Sequence, residues 1–170
     1  AMSRLISGYT AKVAGTEDGI NEPKTVFSAC FGAPFLPLHP GRYADMLGER
    51  MAAHGAKVWL VNTGWTGGPH GVGHRMALKD TRALLNAVLD GSMDDAQFRR
   101  CDRFGWEVPL GAPNMDSNLL DPRNTWSDAS AFDATADALA GRFNANFAQF
   151  EEGASEAVRQ AAPKVLVNAG

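Results

Sequence analysis

The middle of the chain joins an apolar segment, a glycine-rich stretch and an amphipathic pattern, and this order constrains the fold more than any other feature. Residues 58–61 of KVWLVNTGW form a continuous apolar run, as expected of a strand buried on both faces. In KDTRALLNAVLDG the apolar residues recur on one broad helical face, and Gly91 follows as a stop. A strand, a glycine-rich loop and a helix in succession predict an α/β domain and the setting of a nucleotide site.

The glycine-rich stretch comes close to a phosphate-binding loop but departs from it where charge matters. The motif G-x-x-x-x-G-K-[ST] wraps phosphates with backbone N–H groups, and its lysine and hydroxyl neutralise phosphate and hold Mg²⁺. Gly68 and Gly73 have the required spacing, whereas His74 replaces the lysine and Arg75 replaces the hydroxyl residue. Because a neutral histidine cannot act as a permanent ammonium, the loop alone is a poor triphosphate clamp. From the residues alone, a structural turn and a nucleotide contact through Arg75 both stay open.

Further elements are predicted on both sides of this stretch. The segment VFSACFGAPFLPLHP is apolar but interrupted by glycine and proline, which predicts a short buried strand leading into a turn. The whole pattern predicts a mixed sheet flanked by helices, with strands at 27–31 and 58–61 and helices near 42–54, 79–90 and 128–150. After the second helix, prolines among polar residues predict loops rather than a sheet. We expect all 170 residues to form a single domain.

The predicted helices have recognisable capping residues. Gly55 ends the first helix, and either Asp80 or Thr81 is placed to cap the start of the second. The third helix follows Ser127 or Asp128 and has the clearest amphipathic pattern of the chain. Its apolar stripe predicts core packing rather than a cofactor site and consists of Phe132, Ala136, Leu139, Phe143, Phe147 and Phe150.

Composition narrows the function classes. Hydrophobic residues make up 45% and charged residues 21% of the sequence, which is typical of a globular protein. A net charge of -3 and the lack of a long apolar run lead us to expect no nucleic-acid partner, no membrane and a cytoplasmic location. Cys30 and Cys101 form no C-x-x-C pair and are expected to be reduced thiols. The spacing of His39, His54 and His70 fits no common metal-ligand pattern, so we expect no metal site.

Several blocks of sequence together resemble one enzyme family. SGYTAKVAGTE, FSACFGAPFLPLHP, VWLVNTGWTGGPHGVGHRMALKDTR and LDPRNTW resemble, in this order, the C-terminal part of ATP-dependent phosphoenolpyruvate carboxykinase. The resemblance extends from about residue 1 to residue 151. It implies that the chain is part of the C-terminal nucleotide-binding domain of the carboxykinase fold. It also implies the activity of that family, a carboxy-lyase reaction of gluconeogenesis that converts oxaloacetate and ATP to phosphoenolpyruvate, CO2 and ADP.

The resemblance also assigns nucleotide contacts to this chain. In the family, the residues that correspond to Arg75, Met76 and Thr81 contact ATP, while the phosphate-binding loop itself lies upstream. Residues 62–82 would therefore supply a second set of nucleotide contacts and the start of the nucleotide-contacting helix. His74 stands where the family has a lysine, which removes a permanent charge from that position. Residues 8–27 resemble the mobile lid of the family, which excludes water from the reacting phosphates when it closes.

By the same resemblance, no catalytic residue is expected in this chain. The family binds Mg²⁺ and Mn²⁺ and holds oxaloacetate through residues upstream of the matched region. The expected cofactor is ATP, and the ligands of both metals would lie outside this chain. Because phosphoryl transfer needs metal ions and positive groups around the phosphate, the isolated chain is expected to be inactive.

Alternative functions follow from these expectations. The chain is a fragment of a complete carboxykinase, a stand-alone adenine-nucleotide-binding module, or a non-catalytic subunit that interacts with another polypeptide. A nucleotide-binding module predicts saturable binding of ATP by the isolated chain. An interaction subunit predicts self-association or association with the missing N-terminal half, through apolar surface that this half would otherwise cover.

Overall fold

The chain combines short strands with helices of up to five turns. A computed structural model describes residues 5–12 and 24–166. The strands are β1 (Tyr9–Lys12), β2 (Lys24–Phe27), β3 (Trp65–Thr66), β4 (His74–Arg75), β5 (Phe98–Arg100) and β6 (Glu107–Pro109). The α-helices are α1 (Pro40–His54), α2 (Leu78–Leu89), α3 (Pro122–Thr125), α4 (Ala129–Phe147) and α5 (Glu156–Gln160). Short 3₁₀-helices lie at Ala29–Phe31, Ala33–Phe35, Ser117–Leu120 and Ala148–Gly153. The α/β class is confirmed.

The strands pair in small antiparallel sheets. Within the described residues there are three two-stranded sheets, β1–β2, β3–β4 and β5–β6, in place of the expected mixed sheet. The strand predicted at 58–61 is not formed, and Val58, Leu60 and Val61 are 46%, 58% and 42% exposed. A strand requires a partner for its backbone N–H and C=O groups, and the apolar pattern carries no information about whether one is present.

The first part of the chain also differs from the prediction. β1 lies at the start of the segment that resembles the mobile lid of the family, and it pairs with β2. β2 ends at Phe27, whereas the strand was predicted to reach residue 31. In the 3₁₀-helix that follows, Cys30 and Phe31 have φ angles of 50° and 58°, which an extended strand does not allow. Residues 13–23, the centre of the lid-like segment, lie outside the described residues.

Residue contacts divide the chain into two compact units. Of the described residues, the first unit comprises those up to Val58 and those from Leu139 onward, and the second comprises Trp59–Ala138. In the described part of the first unit, Phe150 packs against a buried apolar cluster of Ile6, Ala44, Phe147, Ala154 and Val158. Asn146 Nδ2 donates a 2.7 Å hydrogen bond to the buried Ser7 Oγ. The expectation of a single domain stays a prediction.

Helix α1 begins and ends with identifiable caps. It starts before the predicted residue 42, because the Nδ1 atom of His39 accepts a 3.2 Å hydrogen bond from the Gly41 N–H and Pro40 occupies the first turn. Gly55 ends the helix with φ of 60°, as predicted. Gly41 and Ala44 are its buried residues.

Helix α4 confirms the amphipathic prediction but ends before the predicted residue 150. Asp128 is the cap, since its Oδ1 accepts hydrogen bonds of 2.8 and 3.1 Å from the N–H groups of Ser130 and Ala131. The helix ends at Phe147, so the predicted stretch to residue 150 finishes in a 3₁₀-helix. Ala136, Phe143 and Phe147 of the predicted stripe are buried, in agreement with core packing.

The second unit packs around small and flexible apolar side chains. Ala87 of α2 is 3% exposed and Met93 is 2% exposed. Trp59 lies against Phe98 of β5, with ring centroids 5.9 Å apart. Strands β5 and β6 occupy part of the region that was predicted to be loops, and β6 ends at Pro109. A two-stranded sheet can accept this proline because its residues are all on edge strands.

Candidate functional site

The glycine-rich stretch forms a hairpin between β3 and β4. Trp65 lies opposite Arg75, and Thr66 lies opposite His74. In the connecting turn the N–H groups of Val72 and Gly73 both donate to the Pro69 carbonyl, at 3.0 and 2.8 Å. The residues that have the spacing of a phosphate loop therefore form a closed hairpin turn, and this turn is stabilised by hydrogen bonds within its own backbone.

Backbone packing explains why glycine is needed at both motif positions. A Cβ atom at Gly73 would lie 2.5 Å from the carbonyl oxygens of Gly68 and Thr66. Real Cβ atoms do not approach other atoms so closely, so the hairpin would have to shift. Gly68 has φ of 147°, a backbone conformation that side chains rarely adopt. Of the two alternatives for this loop, the structural turn is thus present, whether or not a nucleotide binds.

The three residues expected to contact ATP follow one another from the hairpin into α2. Arg75 ends β4 and is exposed, and it forms no ion pair with any other residue that the structure describes. Met76 is half-buried, and its N–H donates a 3.0 Å hydrogen bond to the Gly64 carbonyl. Thr81 is half-buried in the first turn of α2, where its N–H donates to Ala77 O at 3.1 Å. All three lie within seven residues of sequence, between the end of β4 and the first turn of α2.

The start of α2 differs from the predicted cap. Ala77 is the cap residue, and no side chain caps the helix. Asp80 and Thr81 lie inside the first turn, so the prediction that one of them caps the helix is wrong. The carboxylate of Asp80 at this end of the helix interacts favourably with the partial positive charge of the N-terminus.

Thr125 supports the hairpin and was not recognised in the sequence. Its Oγ1 accepts a 3.1 Å hydrogen bond from the Gly67 N–H and donates one of 2.7 Å to the Pro122 carbonyl. Gly67 and Thr125 are 58 positions apart, so no local pattern could connect them. The available signal was the LDPRNTW block, in which Thr125 is one of the residues that resemble the carboxykinases.

A network of ion pairs fixes the segment that carries Thr125. Arg103 binds Asp137 through Nε at 2.8 Å and Asp133 through Nη1 at 3.1 Å. Arg123 of α3 binds the same Asp133 through Nη2 at 3.1 Å. The side chains of Arg103, Asp133 and Asp137 are 12%, 14% and 16% exposed, so these charges are largely removed from solvent. Helix α3 is thus tied to the first turns of α4.

The same network shifts the pKa values of its members. Hydrogen bonding by Arg123, together with the charges of Arg123 and Arg103, lowers the pKa of Asp133 below its ordinary value. The hydrogen bond with Asp137 is the main cause of a raised pKa for Arg103. Both groups therefore stay charged at neutral pH, which keeps the network intact.

A cleft of about 400 Å³ lies along a face of α2 that does not include Thr81. Its lining includes Lys79, Arg82, Asn86 and Asp90, but none of the residues expected to contact ATP. The Ser92 hydroxyl donates a hydrogen bond to Asp90 and lowers the pKa of this carboxyl. The cleft and the candidate nucleotide contacts are therefore formed by separate sets of residues.

The three histidines considered as metal ligands lie at the two ends of α1 and in the turn of the hairpin. His39 caps α1, His54 lies in its last turn, and the ring of His70 makes an edge contact with Trp65. Among the described residues, no group of three His, Cys, Asp or Glu side chains could hold a metal ion. Cys30 and Cys101 form no disulfide, and burial raises the pKa of the Cys30 thiol. No helix in the described ranges is long and apolar enough to cross a membrane.

Curated proteins from several organisms match the chain along nearly its whole length. A phosphoenolpyruvate carboxykinase (ATP) of Sinorhizobium medicae is 54% identical over 169 residues, which are 99% of this chain and 32% of that protein. The enzyme of the same name from Sinorhizobium fredii is 55% identical over 163 residues, 96% of this chain and 30% of its own length. That of Thermus thermophilus is 54% identical over 164 residues, 96% of this chain and 31% of its own length.

The chain spans about a third of the length of these curated relatives. The sequence profile of the family described as phosphoenolpyruvate carboxykinase matches residues 1–118, which is more than half of the chain. The profile match and the identities agree with the blocks that first suggested the resemblance. The chain therefore belongs to the ATP-dependent phosphoenolpyruvate carboxykinase family.

Proposed function

We propose that this chain supplies part of the ATP-binding site of a phosphoenolpyruvate carboxykinase (ATP). In this proposal, Arg75, Met76 and Thr81 contact the nucleotide. The observation that carries the proposal is the exposed Arg75, which has no ion-pair partner among the described residues and lies three positions before Leu78, the first residue of α2. A guanidinium is a permanent bidentate donor for phosphate, and a helix N-terminus also favours anions.

The rest of the enzyme's machinery is proposed to lie outside this chain. The full reaction converts oxaloacetate and ATP to phosphoenolpyruvate, CO2 and ADP, with Mg²⁺ and Mn²⁺, and we place it in gluconeogenesis in the cytoplasm. The described residues do not fit a metal site, since they contain no suitable group of ligands. ATP supplies the phosphoryl group when it is bound, and the residues of this chain bind and orient it. The isolated chain is therefore expected to bind nucleotide without turnover.

Isothermal titration of the chain with Mg-ATP tests the assignment of Arg75. Replacing Arg75 with alanine should weaken binding by about 1.5–3 kcal/mol, the scale of a hydrogen bond between charged groups. Arg100→Ala is the matched control, because it removes an exposed arginine of the same unit from β5. Equal affinities of the Arg75→Ala variant and the unchanged chain would remove the assignment. A parallel assay with oxaloacetate and Mn²⁺ should show no phosphoenolpyruvate.

A second candidate function is association through apolar surface. Leu60 and Val61 are 58% and 42% exposed, and Leu89 at the end of α2 is 83% exposed. Because the relatives are about three times as long as this chain, we propose that these residues contact the remaining part of a longer carboxykinase. Sedimentation of the chain with and without a separately expressed upstream part, repeated with Leu60→Lys, tests this proposal. Self-association alone, or binding that Leu60→Lys does not weaken, would contradict it.

A further inference from the structure

The β3–β4 hairpin presents an aromatic ring beside the candidate arginine. Trp65 and Arg75 are directly opposite each other in the register of the two strands. Directly opposite residues of an antiparallel pair have their side chains on the same face. Trp65 is 44% exposed and Arg75 is also exposed. One accessible face of the hairpin therefore carries both an indole and a guanidinium.

The tryptophan is not part of the core of its unit. Side chains alternate between the two faces of a strand, and the neighbouring residue Thr66 is only 7% exposed. The buried face of β3 is thus occupied by a small polar residue, while the largest side chain of the hairpin is on the accessible face. Core packing does not account for a tryptophan at this position, because almost half of its surface remains in solvent.

The ring of Trp65 is held by a neighbour. Its centroid is 5.3 Å from that of His70, with an angle of 89° between the ring planes. This edge contact restricts rotation of the indole, and it comes from the turn of the same hairpin. An aromatic ring that is oriented in advance and accessible binds a flat ligand at a smaller entropy cost than a mobile one.

We propose that Trp65 stacks on the adenine base of the nucleotide that Arg75 contacts. The inference rests on the proposed function and adds a residue that recognises the base rather than the phosphates. Every base has an apolar aromatic face, and stacking on an indole is a common way for a protein to hold one. The neighbouring guanidinium provides the charge for the phosphate part of the same molecule.

A comparison of three ligands separates base stacking from phosphate binding. The unchanged chain, Trp65→Leu and Trp65→Phe are titrated at millimolar concentrations with Mg-ATP, with AMP and with inorganic tripolyphosphate. Trp65→Leu keeps apolar volume but has no aromatic face, so its affinity for ATP and AMP should fall on the order of tenfold. Its affinity for tripolyphosphate should not change, and Trp65→Phe should keep most of the affinity for all three. Trp106→Leu is the control, since Trp106 is a comparably exposed tryptophan at 36%.

Each outcome bears on one of the two proposals. Unchanged ATP affinity in Trp65→Leu would overturn the role of Trp65 and leave that of Arg75 untouched. An equal loss for ATP and tripolyphosphate would also overturn it, because the substitution would then act through the shape of the hairpin. No saturable ATP binding by the unchanged chain would overturn the proposed function and this inference with it.

Discussion

Replacing Thr125 with valine should loosen the glycine-rich hairpin without removing apolar volume. Valine has nearly the same shape as threonine but no hydroxyl, so two hydrogen bonds are lost together. These are the 3.1 Å bond from the Gly67 N–H and the 2.7 Å bond to the Pro122 carbonyl. The first loss leaves a half-buried backbone N–H of the hairpin without this partner.

The expected cost follows from the surroundings of each bond. A neutral hydrogen bond contributes about 0.5–1.5 kcal/mol to stability after exchange with water. The bond between Thr125 and Pro122 is exposed, so water can replace the hydroxyl and the cost is close to the lower value. The bond from Gly67 is partly buried, so its loss is close to the upper value. The free energy of unfolding should therefore fall by about 2 kcal/mol.

Urea unfolding measures the loss of stability of the chain. Amide hydrogen exchange measures the loosening of the hairpin. Thr135→Val is the matched control, because Thr135 Oγ1 donates a 2.8 Å hydrogen bond to Ala131 O within α4 and has no bond to the hairpin. Exchange of the Gly67 amide should become faster in Thr125→Val and stay unchanged in Thr135→Val. Equal Gly67 exchange in the two variants would refute the idea that Thr125 holds the loop.

Two further predictions concern backbone packing and pH. Gly73→Ala should destabilise the chain by about 1–3 kcal/mol, because the added Cβ meets two carbonyl oxygens. Gly141→Ala in α4 should stabilise the chain by about 0.5–1 kcal/mol, because the added Cβ would meet nothing within 4 Å. Urea midpoints that move in the same direction would contradict this. The lowered pKa of Asp133 contributes stability that is complete above the ordinary carboxyl pKa and is lost as pH falls through the lower folded value. Stability below about pH 4 should therefore fall more steeply in the unchanged chain than in Asp133→Asn, and parallel pH profiles would argue against it.

The parts of the fold that local sequence controls were predictable. Gly55 and Asp128 cap their helices as expected, because a cap depends on residues within one turn. The core stripe of α4 was recognised from its periodicity, which depends on the geometry of the helix itself. His39 was missed as the cap of α1, since histidine is not among the residues commonly found at that position.

Contacts between distant residues were not predictable in this way. Residues 58–61 have the composition of a buried strand, but a strand is formed only when a partner pairs with it, and no described residue does so. The bond between Thr125 and Gly67 and the ion pairs of Arg103 join separate parts of the sequence. The roles of Arg75, Met76 and Thr81 came from family resemblance, and they stay predictions until nucleotide binding is measured.

Because of the close packing at Gly73, the presence of this glycine does not by itself indicate phosphate binding. The carbonyl oxygens of Gly68 and Thr66 leave no room for a side chain at this position, with or without a phosphate nearby. A lineage that lost the nucleotide would thus still retain the glycine, because any replacement would disturb the hairpin. Genome searches that rely on glycine spacing alone will collect tight hairpins of this kind together with true phosphate loops, and only the lysine and hydroxyl positions tell them apart.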